Sequence, residues 1–177
     1  MTQKRPQTTD YAPYFAKYVM LVPEGDFLET LEAQLCELQR VLGPLTDKQG
    51  DFRYEPDKWS IKELLGHIND AERIFSYRLL RIARGDQTPL PGFEQDDYVQ
   101  TANCSGQELS SLLAEFVSVR RATITLVRSL DGTSWQRRGI SSNAPITALA
   151  LGFVIVGHLA HHLKILEQRY LPVLAAA

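Results

Sequence analysis

One apolar repeat constrains this chain more than any other feature. In "KWSIKELLGHINDAERIFSYRLLRIARGD", Leu64, Ile68, Ala71, Phe75, Leu79 and Ile82 recur at spacings of three and four, the mark of one face of a long α-helix. Ser60 and Glu63 form a capping box at its start, and Trp59 and Leu64 have the spacing of a hydrophobic staple. Gly85 is a suitable C-terminal cap. A helix of this length with a single apolar face has to bury that face against other elements.

The remaining sequence offers partners of the same kind. Leu28, Leu31, Leu35, Leu38 and Leu42 predict a helix from about Asp26 to Leu42, stopped at Gly43. Ser105 and Glu108 predict a capping box for a third helix, which runs through Leu109, Leu112, Leu113, Phe116 and Val127 to about Leu130. Thr147 can cap a last helix in "PITALALGFVIVGHLAHHLKILEQRYLP", closed by Pro172. "DGTSWQRRGISSNAP" is expected to be a loop, and no strand alternation is long enough to compete. The segment "DQTPLPGFEQDDYVQTANC", residues 86–104, is expected to be irregular because of its prolines, glycine and acidic cluster. It is either a packed strap held by Leu90, Phe93 and Tyr98 or the wall of a functional pocket.

The expected fold is therefore all-α: a four-helix bundle over residues 23–171, with an N-terminal extension (1–22) and a C-terminal tail (172–177). The long second connection allows a topology other than simple up-and-down. At 177 residues with 44% hydrophobic and 23% charged, the chain can bury a core as one domain. A net charge of -2 gives no basic field for nucleic acid. The N-terminus lacks the apolar region of a signal peptide, and no run approaches the ~18–20 apolar residues of a membrane span. A cytoplasmic protein with no membrane partner is expected. Two cysteines are too few for a disulfide scaffold, and Cys36, within an apolar helical pattern, is expected to be a buried free thiol.

Histidine is scarce and concentrated. Three of the four histidines lie in "VGHLAHHLKI", and the fourth is His67 on the apolar face of the second helix. His158 and His162, four residues apart, project from one helical face, in a row with Leu151, Ile155, Leu166 and Arg169. His161 is turned about 100° away from His162. The pair is half of a metal site or two packed, hydrogen-bonded histidines; His67 on a facing helix would complete a site of three imidazoles. Such a set suits zinc or nickel and leaves a coordination position open. Glu-x-x-His and His-Glu-x-x-His are both absent. An iron site with Asp70 or Glu72 in place of His67 is the alternative. Asp70 is also a candidate catalytic base, against a solvated carboxylate. Arg78, Arg81 and Arg84 form a row that could grip an anionic substrate but reads first as a solvated face with local ion pairs.

Taken together, "YEPDKWSIKELLGHINDAERIFSYRLLRIARGD", "LPGFEQDDYV" and "GHLAHHLKILEQRYL" resemble, in that order, the DinB-like four-helix-bundle family. The resemblance spans nearly the whole chain. That family includes bacillithiol- and mycothiol-dependent S-transferases and mycothiol-dependent maleylpyruvate isomerases. It implies a divalent metal held by one histidine of the second helix and a His-x-x-x-His pair of the last, which here are His67, His158 and His162. The implied function is metal-dependent transfer of a low-molecular-weight thiol to a small electrophilic substrate. A hydrolase and a non-catalytic metal-binding bundle are the alternatives. The resemblance also implies a homodimer, for which Leu112, Leu113, Phe116 and Val117 offer more apolar surface than one stripe needs.

Overall fold

The computed structural model describes residues 3–176; residues 1–2 and 177, the outermost parts of the expected extension and tail, lie outside the described residues. A short helix α1 (Ala16–Val19) leads to α2 (Phe27–Leu42), α3 (Asp47–Gly50) and α4 (Ile61–Ala83). Then come α5 (Gln95–Thr101), α6 (Leu109–Arg128), α7 (Gly132–Gln136) and the strands β1 (Arg138–Ser141) and β2 (Ala144–Thr147). Helix α8 (Ala148–Ile165) continues through a π turn (Leu166–Tyr170) into α9 (Leu171–Ala176).

Two of the four long helices start on the caps expected, and a third starts on Asp26, where its beginning was placed. Asp26 accepts from the N–H groups of Leu28 and Glu29, Ser60 and Glu63 make the reciprocal capping box, and Thr147 accepts from Ala150. Helix α6 departs from expectation. Its cap residue, Glu108, makes no side-chain cap bond, and Ser105 sits in a separate 3-10 turn (Cys104–Gly106). Its first N–H, that of Leu109, is instead taken by Asp47 Oδ1 of α3 at 2.7 Å. An end cap drawn from a distant segment leaves no local signal.

Four other expectations are corrected. The 86–104 connection holds a helix, α5, whose Asp96 and Asp97 lie in its first turn, where the helix dipole favours carboxylates. The stretch expected to be a loop contains α7 and an antiparallel hairpin with Ser141 opposite Ala144. Its two-residue turn, Ser142–Asn143, takes positive φ at both positions (51° and 62°), the conformation that matches strand twist. Pro172 does not end the last helix; it falls in the first turn of α9, where its missing N–H is tolerated. The π turn before it also breaks the 3.6-residue rhythm, so Tyr170 is buried and Arg169 is exposed. Cys36 is exposed, and Cys104 is the buried thiol.

The topology follows from which residues meet. Residues 69, 73 and 72 of α4 bond to 112, 115 and 120 of α6, so these consecutive long helices run parallel. Trp59 meets Tyr170 and Ala83 meets Arg137, so α4 and α8 are antiparallel. Helix α2 packs on α6 and α8 and lies diagonally from α4. The bundle is up-down-down-up, and the 86–108 connection is the crossover it requires. Contrary to the expectation that no run is long enough to span a membrane, Ala148–Ala175 could cross one by length and composition, yet 72% of its 18-residue apolar window is buried inside the bundle. Its apolarity is that of a central core helix.

The core forms two apolar clusters. Between them lies a polar layer that touches all four long helices. Arg120 of α6 donates to Glu72 of α4 at 2.7 Å and to Gln34 of α2 at 3.0 Å, and Gln34 donates to the Val156 carbonyl of α8 at 2.8 Å. Arg120 and Glu72 are fully buried, so Glu72 is committed to an ion pair rather than to a metal. The N-terminal segment packs against this bundle: Phe15, Tyr18, Val19 and Val22 are buried, and α1 lies on α8. Close approach is possible because residue 157 is glycine; a Cβ there would stand 2.0 Å from the Tyr18 carbonyl oxygen.

Removing one partner of a buried ion pair strands the other charge. Arg120→Met should cost about 3–5 kcal/mol in urea unfolding, and adding Glu72→Leu should recover much of that loss. A single variant as stable as the wild type would show that the pair does not bind the helices together.

Candidate metal centre

Helix α4 carries His67 on the face turned toward α8, and α8 carries His158 and His162 one turn apart on the face turned back. All three are buried. Nε2 of His158 lies 3.1 Å from Nε2 of His67 and 3.1 Å from Nε2 of His162, and the three candidate donor atoms lie within 4.8 Å of one another. Nε2 of a neutral imidazole carries either a proton or a lone pair, so His158 cannot satisfy both neighbours as donor and acceptor at once. One cation accepting three lone pairs resolves this. Metal–nitrogen bonds of about 2.0–2.1 Å at tetrahedral angles would hold two nitrogens about 3.3 Å apart, close to the two 3.1 Å spacings that His158 makes.

Electrostatics favours the ligand form. Burial, reinforced by the charge of His161, pushes His67 down to about 4. Burial and the neighbouring histidines hold His158 and His162 well below the usual imidazole range. The rings are therefore neutral at pH 7. His162 Nδ1 is buried and has no hydrogen-bond partner among the described residues, so packing against the His158 and His161 rings orients it. His161 is only partly buried and stacks edge-on to Tyr18, outside the cluster, as the helix geometry predicts.

Of the cluster, His67 and His158 line a cavity of about 390 Å³. Its walls come from three segments outside the long helices: Tyr14, Phe15 and Tyr18 of the N-terminal segment, Gly92 to Asp96 of the long connection, and Ser142 of the hairpin tip. Phe75 of α4 completes it, 5.4 Å from the His158 ring. The connection thus is a pocket wall. Backbone bonds hold it to the hairpin: Leu90 N donates to Ile140 O at 2.9 Å, and Ser142 N to Leu90 O at 3.0 Å.

Asp70 is not brought to this cavity. It lines a separate one with Cys104, Tyr98 and Glu115, and its carboxyl is raised chiefly by burial. The arginine row divides. Arg81 pairs with Asp86 and Arg84 is exposed, as expected of a solvated face, whereas Arg78 is buried and lines the histidine cavity. Tyr14, Tyr18 and Ser142 went unrecognised in the sequence. The adjacent Ser and Asn in "ISSNAP" were the available signal for a turn, but nothing local said it would face the histidines.

Comparisons place these features among known proteins. The family model of the DinB superfamily matches residues 30–166. Among solved structures, the chain is similar to YfiT from Bacillus subtilis, described as "a probable metal-dependent hydrolase with an unusual four-helix bundle topology". The TM-score is 0.71 at 18% identity, over 92% of this chain and 89% of that one. No curated protein matches. At that identity the likeness to YfiT shows the fold alone.

Two measurements check the cluster. His162→Ala should abolish stoichiometric binding of a divalent ion in equilibrium dialysis, and His161→Ala should leave it nearly intact; equal losses would mean the helix-face assignment is wrong. In metal-stripped protein, the unfolded chain takes up protons at these imidazoles below about pH 6.5, whereas the folded His67 resists until about 4. Stability should consequently fall as pH drops through that window. A urea midpoint unchanged between pH 7 and pH 5 would contradict this.

Proposed function

Because the chain belongs to the DinB superfamily, and its three-histidine cluster faces an aromatic cavity, we propose that it is a metal-dependent enzyme transferring a low-molecular-weight thiol to a small electrophile. The observation that carries this reading is the convergence of three neutral imidazole nitrogens, two of them on His67 and His158 in the wall of a cavity of about 390 Å³, room for a small molecule rather than a polymer. Zinc or nickel suits an all-imidazole donor set. A divalent ion held by His67, His158 and His162 would supply Lewis acidity, lowering the pKa of a thiol or water that it contacts.

The chain's own residues do the rest. Phe15, Tyr18 and Phe75 shield the histidines from bulk water and seat the apolar part of a substrate. Glu94 and Asp96 stand solvent-exposed at the rim of the same cavity and can carry the thiol proton away. Asp70, in its separate cavity, is a poor candidate for that task. The thiol sulfur forms the new bond to the electrophilic carbon, and the leaving group departs with the carbon–leaving-group electron pair.

A hydrolase is the second reading, favoured by the description of YfiT and by the ability of the same site to activate water. A homodimer is part of the proposal in a narrower form than the sequence suggested. Leu112 and Phe116 are consumed by the core, and only Leu113 and Val117, half-buried beside a shallow cleft, remain to offer a partner.

Metal-loaded protein is to be mixed with bacillithiol, mycothiol or glutathione and monochlorobimane, and in parallel with an activated ester and no thiol. Bimane conjugation by one thiol at about 100-fold or more above the His158→Ala rate is expected, on the scale of a lost activating group. If no thiol exceeds His158→Ala while the ester is cleaved, hydrolysis is the better reading. If neither reacts, the bundle acts by association. Light scattering at tens of micromolar should return the dimer mass.

A further inference from the structure

Arg78 has no place in the chemistry described so far, and its surroundings are unusual for a guanidinium. It is 3% exposed, yet among the described residues it forms no ion pair and one hydrogen bond, from Nη2 to the Pro91 carbonyl at 2.6 Å. Its Cζ lies 5.8 Å from the centre of the Phe75 ring and 5.7 Å from that of Phe93, clamped by two aromatic walls of the histidine cavity. An arginine stays protonated in a protein, and a buried charge without a counter-ion is costly unless something supplies one. The titratable groups that act on it are the phenols of Tyr14 and Tyr98, which are neutral at pH 7, and not a carboxylate. Glu94 and Asp96 line the same cavity but are exposed at its rim and form no bridge to Arg78.

Two further polar groups face the same space. Tyr14 and Ser142 line the cavity beside Arg78, and burial raises the Tyr14 phenol, an effect partly offset by the Ser142 hydroxyl and the Arg78 charge, so Tyr14 keeps a proton to donate. Ser142 is held there by the positive-φ turn of the hairpin and by its backbone bond to Leu90. Three elements distant in sequence thus bring a guanidinium-bearing and two hydroxyl-bearing side chains to the wall of one cavity. Phe75 touches both Arg78 and His158, so a single ring separates Arg78 from the metal-binding histidines.

We propose that Arg78, with the Tyr14 and Ser142 hydroxyls, is an oxyanion subsite that seats a carboxylate or phosphate group of the substrate. The planar guanidinium matches such a group with two parallel hydrogen bonds, and the bound anion supplies the missing counter-charge. The substrate is then a small anion, held at one end by Arg78, with its reacting atom about a ring's width away at the histidines. This inference rests on the reading that the cavity receives the substrate. It makes Arg78 a determinant of specificity.

The test uses metal-stripped protein, so that no ion can bind the anion in Arg78's place. Benzoate, phenyl phosphate and neutral benzamide are titrated while Tyr fluorescence and the Arg78 Nε–H NMR signal are followed. Benzoate or phenyl phosphate should bind at least about tenfold more tightly than benzamide and shift the Arg78 signal, the size expected of a charge-assisted hydrogen bond; which of the two is tighter identifies the oxyanion. Arg78→Gln should erase the preference, Arg78→Lys should keep part of it, and Tyr14→Phe should weaken it. If wild-type protein shows no preference for the anions, or Arg78→Lys and Tyr14→Phe bind them as the wild type does, the subsite is wrong. Because these readouts need neither metal nor turnover, an inactive metal-loaded enzyme would overturn the thiol-transfer reading and leave the subsite standing.

Discussion

The buried ion pair between Arg120 and Glu72 is the constraint around which the bundle is arranged. A guanidinium and a carboxylate at zero and 3% exposure have to be fully partnered, because each lost contact leaves a desolvated charge. Gln34 and the Val156 carbonyl complete that partnership, and the four groups come from four different helices. Apolar faces alone tolerate sliding and rotation of helices against each other. A polar layer of this kind admits only one mutual register, and that register sets His67 opposite His158 and His162.

The layer also explains why the core is divided. On α4, Leu64, Leu65 and Ile68 belong to one apolar cluster and Phe75, Leu79 and Ile82 to the other, with Glu72 between them. On α8 the change falls between Val156 and Leu159, where His158 sits. The histidines occupy the seam of the bundle, next to a polar layer and under a roof of loops. Burial there is deep enough to keep the imidazoles neutral and shallow enough for the cavity to reach them.

The roof depends on the parallel pair α4 and α6. Parallel neighbours need a long crossover, and this one passes over the open side of the histidine cluster. It is fastened by strand-like bonds to a hairpin whose turn residues are Ser142 and Asn143. On the other side, the small size of Gly157 lets the N-terminal segment lie directly on α8, so that Tyr18 stacks on His158. Fold topology and site architecture are in this respect the same fact.

What the sequence alone determined was local and periodic. The spacing of apolar residues defined four helices, and Ser60 and Thr147 marked two starts, because capping is decided within a few residues. The i, i+4 spacing of His158 and His162 and the apolar company of His67 were also legible, because helical periodicity fixes which side chains share a face. Only the tertiary structure decided the rest. Arg78 and Arg81 look alike in sequence, yet one is buried in the cavity and the other pairs at the surface. Asp70 is three residues from His67 but faces a different cavity. Asp47 caps a helix that starts 62 residues later, and Arg120 finds Glu72 across 48. These choices rest on desolvation and long-range pairing, which depend on what lies across the interface, and no spacing along a single helix encodes that.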